Sequence, residues 1–125
     1  DGAAAIEFAL ILPILLVLVF GIIEFGLILY YQGVVSSASR EGARRGIVVS
    51  RPSVTSTVEK YCADMLPSGT PCNFTVESPE GTLAGDPITV TVTYDYTWIV
   101  LANFIPGLST DGQITLTGKT TMYYE

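Results

Sequence analysis

The chain has 125 residues, of which 49% are hydrophobic, and a formal net charge of −6. This length suits one helix and one small domain, which we divide at residues 1–50 and 51–125. The absence of histidine excludes histidine-based acid/base and metal chemistry. Residues 1–51 are neutral, so the acidic charge belongs to the remainder, which repels phosphate; we therefore expect no nucleic-acid partner.

A long apolar run, Ala3–Tyr31, opens the chain and carries only two charges, Glu7 and Glu24. A bilayer core about 30 Å thick needs roughly 20 apolar residues to cross it as a helix. The segment Phe8–Leu29 meets that length with Glu24 as its one charge. The sequence therefore predicts a membrane-spanning helix before any other element.

The two carboxylates of this run need partners, because an ionised side chain within hydrocarbon costs roughly 3 kcal/mol on insertion scales. Glu7 has two interpretations. It is an interfacial carboxylate favoured by the helix dipole, or a registry charge that pairs with the terminal amine of a neighbouring copy. We expect Glu24 to take part in subunit registry as well, with an arginine of a neighbouring helix as its partner if many copies pack together.

Small residues recur along the helix and permit close helix–helix approach. They are Gly21, Gly26, Gly33, Ser37, Gly42 and Gly46. Ordinary glycine usage in a membrane helix is the alternative. Pro13 lies inside the run, where it removes one backbone hydrogen bond.

The polar continuation remains compatible with a helix and contains a close set of charges, Arg40, Glu41, Arg44 and Arg45. Glu41 and Arg45 are spaced i,i+4, and we expect the set to pair between helices. A helix from Ala3 to about Val48 would be roughly 70 Å long, so half of it must be a stalk outside the membrane. Because glycine weakens a solitary helix in water, we expect neighbouring copies to cover the stalk.

A break at Ser50–Pro52 precedes a short amphipathic helix, predicted over residues 53–66 with Ser53 as its N-cap. Cys62 and Cys72 flank the turn-prone sequence PSGTP. They are free thiols or a disulfide. A clustered pair on an extracytoplasmic domain favours the disulfide.

Beyond this helix the hydrophobic period changes to two. Alternation from Ile88 to Trp98 predicts a long amphipathic strand, residues 114–124 a second, and Asn73–Glu77 a third, with a turn at Gly81–Gly85. The sequon at Asn73 is better explained as the start of that strand. An antiparallel sheet covered by the short helix makes an α+β head. The apolar segment IVLANFIPGL is core or an exposed contact patch, and we favour contact.

Motifs for catalysis are missing from the sequence. It has no glycine-rich phosphate loop, HExxH pair, nucleophile elbow or cysteine-rich metal motif. We therefore expect no cofactor, no catalytic residue and no enzymatic activity. A single-span enzyme or solute-binding protein, the third class considered, lacks a candidate site.

Three stretches together resemble the TadE-like family of the tight-adherence (Tad) type IV pilus machinery. They are GAAAIEFALILPILLVLVFGIIEFG, ASREGARRGIV and the closing TTMYYE. The resemblance is close in the N-terminal half and loose in the last strand. It implies a type IV pilin-like fold, a long hydrophobic helix followed by a small head.

The resemblance also implies processing by a prepilin peptidase between Gly2 and Ala3, which would make Glu7 the fifth mature residue. The amine created there would then be the partner of Glu7 on a neighbouring copy. The sequence itself begins at Asp1 without methionine and retains Gly2, and we expect that a preceding segment has been removed.

Two functions follow from this resemblance. In the first, the chain is a structural subunit that polymerises through its N-terminal helix into a pilus, with copies of itself as partners. In the second, it is a membrane-anchored minor pseudopilin that primes or caps assembly. Both imply the inner membrane before assembly, the Tad assembly platform as a partner, and a cell-surface location for the filament.

Overall fold

A computed structural model describes residues 1–48, 51–67, 71–77, 84–101, 105 and 113–124. Its elements in chain order are α1 (Gly2–Val48), α2 (Arg51–Met65), β1 (Asn73–Glu77), β2 (Pro87–Thr97) and β3 (Gln113–Tyr123). A long N-terminal apolar helix followed by a short helix and a three-stranded antiparallel sheet confirms the predicted α+β, pilin-like class.

The first helix runs without interruption from Gly2 to Val48 and includes Pro13, as the sequence predicted. The second helix begins at Arg51, so the expected N-cap at Ser53 is wrong. Proline is tolerated in a first turn because its missing N–H has no partner there in any case, and Pro52 can thus be helical. The predicted break at Ser50–Pro52 lies partly outside the described residues.

The sheet has the strand order β1-β2-β3. Strands β1 and β2 are antiparallel, with Asn73 opposite Thr93 and Glu77 opposite Thr89, and β1 begins at Asn73 as expected. Along β2 every second side chain is buried, from Ile88 to Tyr96. The predicted alternation is therefore confirmed, because the period of a strand is two. Of the predicted turn at 81–85, only residues 84 and 85 are described, and they form a turn.

The chain separates into two compact units. One comprises Asp1–Leu29 with Tyr96–Ile114, and the other comprises Tyr30–Asp95 with Thr115–Glu125. The division at residue 50 into a helical and a head domain stays a prediction.

The core of the second unit contains side chains from α1, α2 and the sheet. Its fully buried members are Val35, Ala38, Ala43, Val54, Val58, Ile88, Val90 and Val92. The C-terminal part of α1 is therefore packed on the chain's own α2 and β2. The prediction that neighbouring copies cover the stalk is therefore wrong for the part beyond Tyr30. Small residues of the helix make room there for valine and isoleucine side chains of the same chain.

Strand β3 passes very close to α1 at Gly118. A Cβ atom built there would lie 2.6 Å from the carbonyl carbon of Val35 and 2.7 Å from the nitrogen of Ser36. Two hydrogen bonds flank this point. The Gln32 amide donates to the Thr117 carbonyl at 2.9 Å, and the hydroxyls of Ser39 and Thr120 are 2.7 Å apart. Only glycine allows the strand to approach the helix backbone this closely.

The expected disulfide between Cys62 and Cys72 is formed, with a Cα–Cα distance of 6.1 Å. It ties the last turn of α2 to the residue that precedes β1. Cys62 is itself buried in the core of the second unit. The bond thus closes a short loop next to packed side chains.

Replacing Gly118 by alanine should destabilise this unit by about 2 kcal/mol, in the range for overpacking of a tight core, because the helix backbone cannot move aside. Chemical denaturation of the full chain in detergent, followed by circular dichroism, measures this change. The matched control is Gly33→Ala, since a Cβ there meets nothing within 4 Å and alanine is the better helix former. Equal stability of the two variants would contradict the close approach.

Replacing both cysteines by serine should lower the free energy of unfolding by about 3 kcal/mol, the chain-entropy value for a loop of this length. Denaturation of the oxidised wild type and of the double variant measures the difference. The wild type after reduction should match the double variant. A stability unchanged by reduction would show that the crosslink does not support the head.

Candidate functional site

The N-terminal part of α1 exposes its apolar side chains to the surroundings of the chain. Between Ile6 and Leu29, most large hydrophobic side chains are exposed, including the consecutive residues Ile14 to Val19. Six consecutive helical residues point in all directions around the axis. A helix that is apolar on every side must be surrounded by lipid or by other protein.

Within the described part of the chain, α1 is the one helix long and apolar enough to cross a membrane. None of its most apolar stretch is buried by the rest of the chain. This distinguishes it from the core helix of a soluble protein. The helix therefore provides a candidate surface for membrane insertion and for contact between copies.

Glu7 lies exposed in the second turn of this helix, and Gly2 is its first residue. Both positions sit at the end where the resemblance expects processing. The pairing of Glu7 with a neighbouring amine and the cleavage between Gly2 and Ala3 stay predictions, because each involves a second molecule.

Glu24 differs from Glu7 because its side chain is completely buried. Its Oε1 accepts hydrogen bonds from the Tyr96 hydroxyl and, at 2.8 Å, from the Ile99 backbone N–H. Its Oε2 accepts from the backbone N–H groups of Val100 at 2.7 Å and Leu101 at 3.2 Å. Four donors thus satisfy one carboxylate, which is about as many as it can accept.

The end of strand β2 creates this binding site. The strand finishes at Thr97, and the chain then bends through Ile99 and Val100 into a turn at Leu101. Successive backbone N–H groups in such a bend point into one concavity and hold an anion there. The Ile105 N–H donates to the Leu101 carbonyl at 3.0 Å.

The partner of Glu24 was not foreseen from the sequence, which suggested an arginine of a neighbouring helix. In the structure, the carboxylate oxygens are satisfied within the chain. The sequence does place Tyr96 on the buried face of β2 by alternation, and a buried tyrosine hydroxyl needs a hydrogen-bond partner. No sequence pattern, however, links it to a residue 72 positions earlier.

The small residues of α1 fall into two groups. A Cβ placed at Gly21, Gly26 or Gly33 would meet nothing within 4 Å, so these positions remain open to another helix. At Gly42, the corresponding atom would lie 2.7 Å from a Val58 methyl, and Gly46 is covered by Val54 and by Ile88.

The small size of Gly42 and Gly46 therefore allows close packing with side chains of the same chain. Ser37 is half-buried. Contact between copies through the open glycines stays a prediction.

The charged set forms one ion pair within the helix. Arg45 Nε lies 3.5 Å from Glu41 Oε1, at the i,i+4 spacing expected from the sequence. Arg40 and Arg44 are exposed. An exposed pair of this kind contributes little to stability. The pairing of these charges between helices stays a prediction.

The segment IVLANFIPGL is described only in part. Ile99 and Ile105 are exposed, whereas Val100 and Leu101 are half-buried. Residues 102–104 and 106–108 lie outside the described residues. Among the described residues, no group of three or more histidine, cysteine, aspartate or glutamate side chains could hold a metal ion.

Removing the Tyr96 hydroxyl should weaken the turn that binds Glu24. A hydrogen bond to a charged group contributes about 2 kcal/mol, so Tyr96→Phe should increase amide exchange at residues 99–101 by more than tenfold. Hydrogen exchange followed by mass spectrometry in detergent measures it. The control is Tyr123→Phe, because Tyr123 is an exposed side chain of β3. Unchanged exchange in Tyr96→Phe would mean that the hydroxyl does not hold the turn.

No characterised protein and no solved structure shows significant similarity to the chain. Residues 2–44 match the family model described as TadE-like protein. The match covers most of α1, including Glu7, Glu24 and the first charges of the ASREGARRGIV stretch. The chain is therefore similar to the TadE-like family over residues 2–44, which confirms the resemblance for the N-terminal part of its motifs.

Proposed function

We propose that the chain is a structural, pilin-like subunit that polymerises through α1 into a Tad-like pilus. The exposed apolar surface of α1 carries this proposal. Side chains at every angle around the axis between Ile14 and Val19 are exposed rather than buried by the rest of the chain. Lipid covers them before assembly and identical helices cover them in the filament, because either environment keeps them from water.

The open glycines support packing of α1 against other copies. Gly21 and Gly26 have free space above their Cα atoms, and small residues let helix backbones approach when apolar burial gives no advantage over lipid. A contact between different surfaces of two copies repeats without closing and so generates an open helical polymer. One apolar helix is sufficient for this geometry.

Glu7 is proposed to set the register of neighbouring subunits. It is exposed near the start of α1, and a carboxylate surrounded by apolar helices is stable only when a positive group neutralises it. The terminal amine produced by cleavage at Gly2–Ala3 would supply that charge. A subunit shifted along the axis would leave both charges unpaired.

The disulfide supports a final location outside the cytoplasm. A bond such as Cys62–Cys72 persists in oxidising compartments and is rare in the cytosol. We accordingly place the head on the extracytoplasmic side of the inner membrane before assembly and on the cell-surface filament afterwards. The assembly platform and prepilin peptidase of the Tad system are the proposed partners, and the role is structural rather than catalytic.

Replacing Glu7 by alanine should leave the head folded but abolish filaments, because the registry charge is lost. Negative-stain imaging of material sheared from the cell surface measures filament yield. Mass spectrometry of the same material identifies the subunit and its N-terminus. Formation of the Cys62–Cys72 bond reports the folding of the head. The matched control is Glu59→Ala, which removes an exposed carboxylate of α2.

Wild-type filament yield from Glu7→Ala would refute the registry role. If the filaments contain the chain only in trace amounts and another protein is the main subunit, the chain is a minor pseudopilin and the proposal is wrong. Finding only dispersed copies in the membrane, never in a filament or its assembly complex, would refute both.

A further inference from the structure

The turn bound by Glu24 is located at a definite depth along α1. In the unit formed by Asp1–Leu29 and Tyr96–Ile114, Glu24 precedes the end of the apolar span at Leu29 by five residues, or about 7 Å. A span of residues 8–29 is about 33 Å long, close to the hydrocarbon thickness of a bilayer. When α1 spans a membrane, the carboxylate and the turn therefore lie just inside one hydrocarbon boundary.

The turn has the composition that such a depth requires. The exposed fraction of Ile99 is 52% and that of Ile105 is 38%. Trp98 is half-buried, with its ring against the Tyr96 ring at a centroid distance of 6.3 Å. Tryptophan is enriched at the membrane–water interface because its ring is both apolar and a hydrogen-bond donor.

The backbone of the turn is also suited to this depth. Irregular backbone is tolerated at membrane depth only where protein groups satisfy its polar atoms. The backbone N–H groups of Ile99, Val100 and Leu101 donate hydrogen bonds to the Glu24 carboxylate. The carboxylate therefore satisfies the N–H groups of the turn, and the turn satisfies the carboxylate, so that neither is left without hydrogen bonds in lipid.

We propose that Trp98–Leu101 is a second membrane contact, a shallow turn seated in the lipid interface and held to α1 by Glu24. Lipid is the occupant because the turn is bonded to the helical segment that lipid surrounds. Exposed apolar side chains occur at the same depth of that segment, for example Ile23 and Phe25, which flank Glu24 along the helix. The proposal requires α1 to span a bilayer and does not require the chain to polymerise.

The fluorescence of Trp98 tests this proposal directly, because it is the only tryptophan of the chain. The full chain is reconstituted at low density in vesicles of phosphatidylcholine and phosphatidylglycerol. Lipids brominated at shallow or deep acyl positions are the quenchers. We expect blue-shifted emission, strong quenching by the shallow bromines, weaker quenching by the deep ones, and little quenching by aqueous iodide.

Two variants connect this position to Glu24. Glu24→Ala makes the helix more apolar, so the helix should still insert. The variant should shift Trp98 emission to the red, weaken quenching by brominated lipid and strengthen quenching by iodide. Tyr96→Phe removes one of the four donors and should shift the emission in the same direction by less. Glu7→Ala, which removes the other carboxylate of the apolar run, should leave Trp98 unchanged. Resistance to alkaline extraction confirms insertion of each variant.

Three results would overturn the proposal. Trp98 of the wild type could be quenched by iodide and not by brominated lipid, which would place the turn in water. Its shielding could appear only at high protein density, which would make another copy of the chain the occupant. Glu24→Ala could also leave lipid quenching unchanged, which would show that Glu24 does not hold the turn.

Discussion

The structure depends on the incompatibility of α1 with water. Large apolar side chains are exposed in every direction around the axis from Ile14 to Val19, so hydrophobic burial must be completed by molecules outside the chain. Beyond Tyr30 the same helix is covered by α2 and the sheet, with Val35 and Ala38 fully buried. One continuous helix therefore changes its environment along its length, and the polar residues that follow Tyr31 mark the change.

Glu24 is the polar exception within the apolar segment. Desolvation of an unpaired carboxylate would be strongly unfavourable, and the turn after β2 offsets it with three backbone N–H groups and the Tyr96 hydroxyl. The contact is intramolecular, so it does not require a neighbouring copy. The two acids of the apolar run thus have different environments, since Glu24 is buried and Glu7 is exposed.

Patterns of residue spacing predicted the elements but not the contacts between distant residues. The apolar run and the helix-compatible polar stretch after it predicted α1, and alternation between Ile88 and Tyr96 predicted strand β2, because periodicity reports local geometry. The Glu24 site joins residues more than 70 positions apart. The close approach of Gly118 to Val35 likewise depends on tertiary packing, and a single glycine in a strand is not sufficient to predict it. The covering of Gly42 by Val58 was missed for the same reason.

The close contact at Gly118 has a mechanical consequence. Together with the bond between Gln32 and the Thr117 carbonyl, it joins strand β3 to the helix backbone within the second unit. A force that acts on β3 therefore reaches the helix backbone at Val35 through directly packed atoms, without a flexible side chain between them.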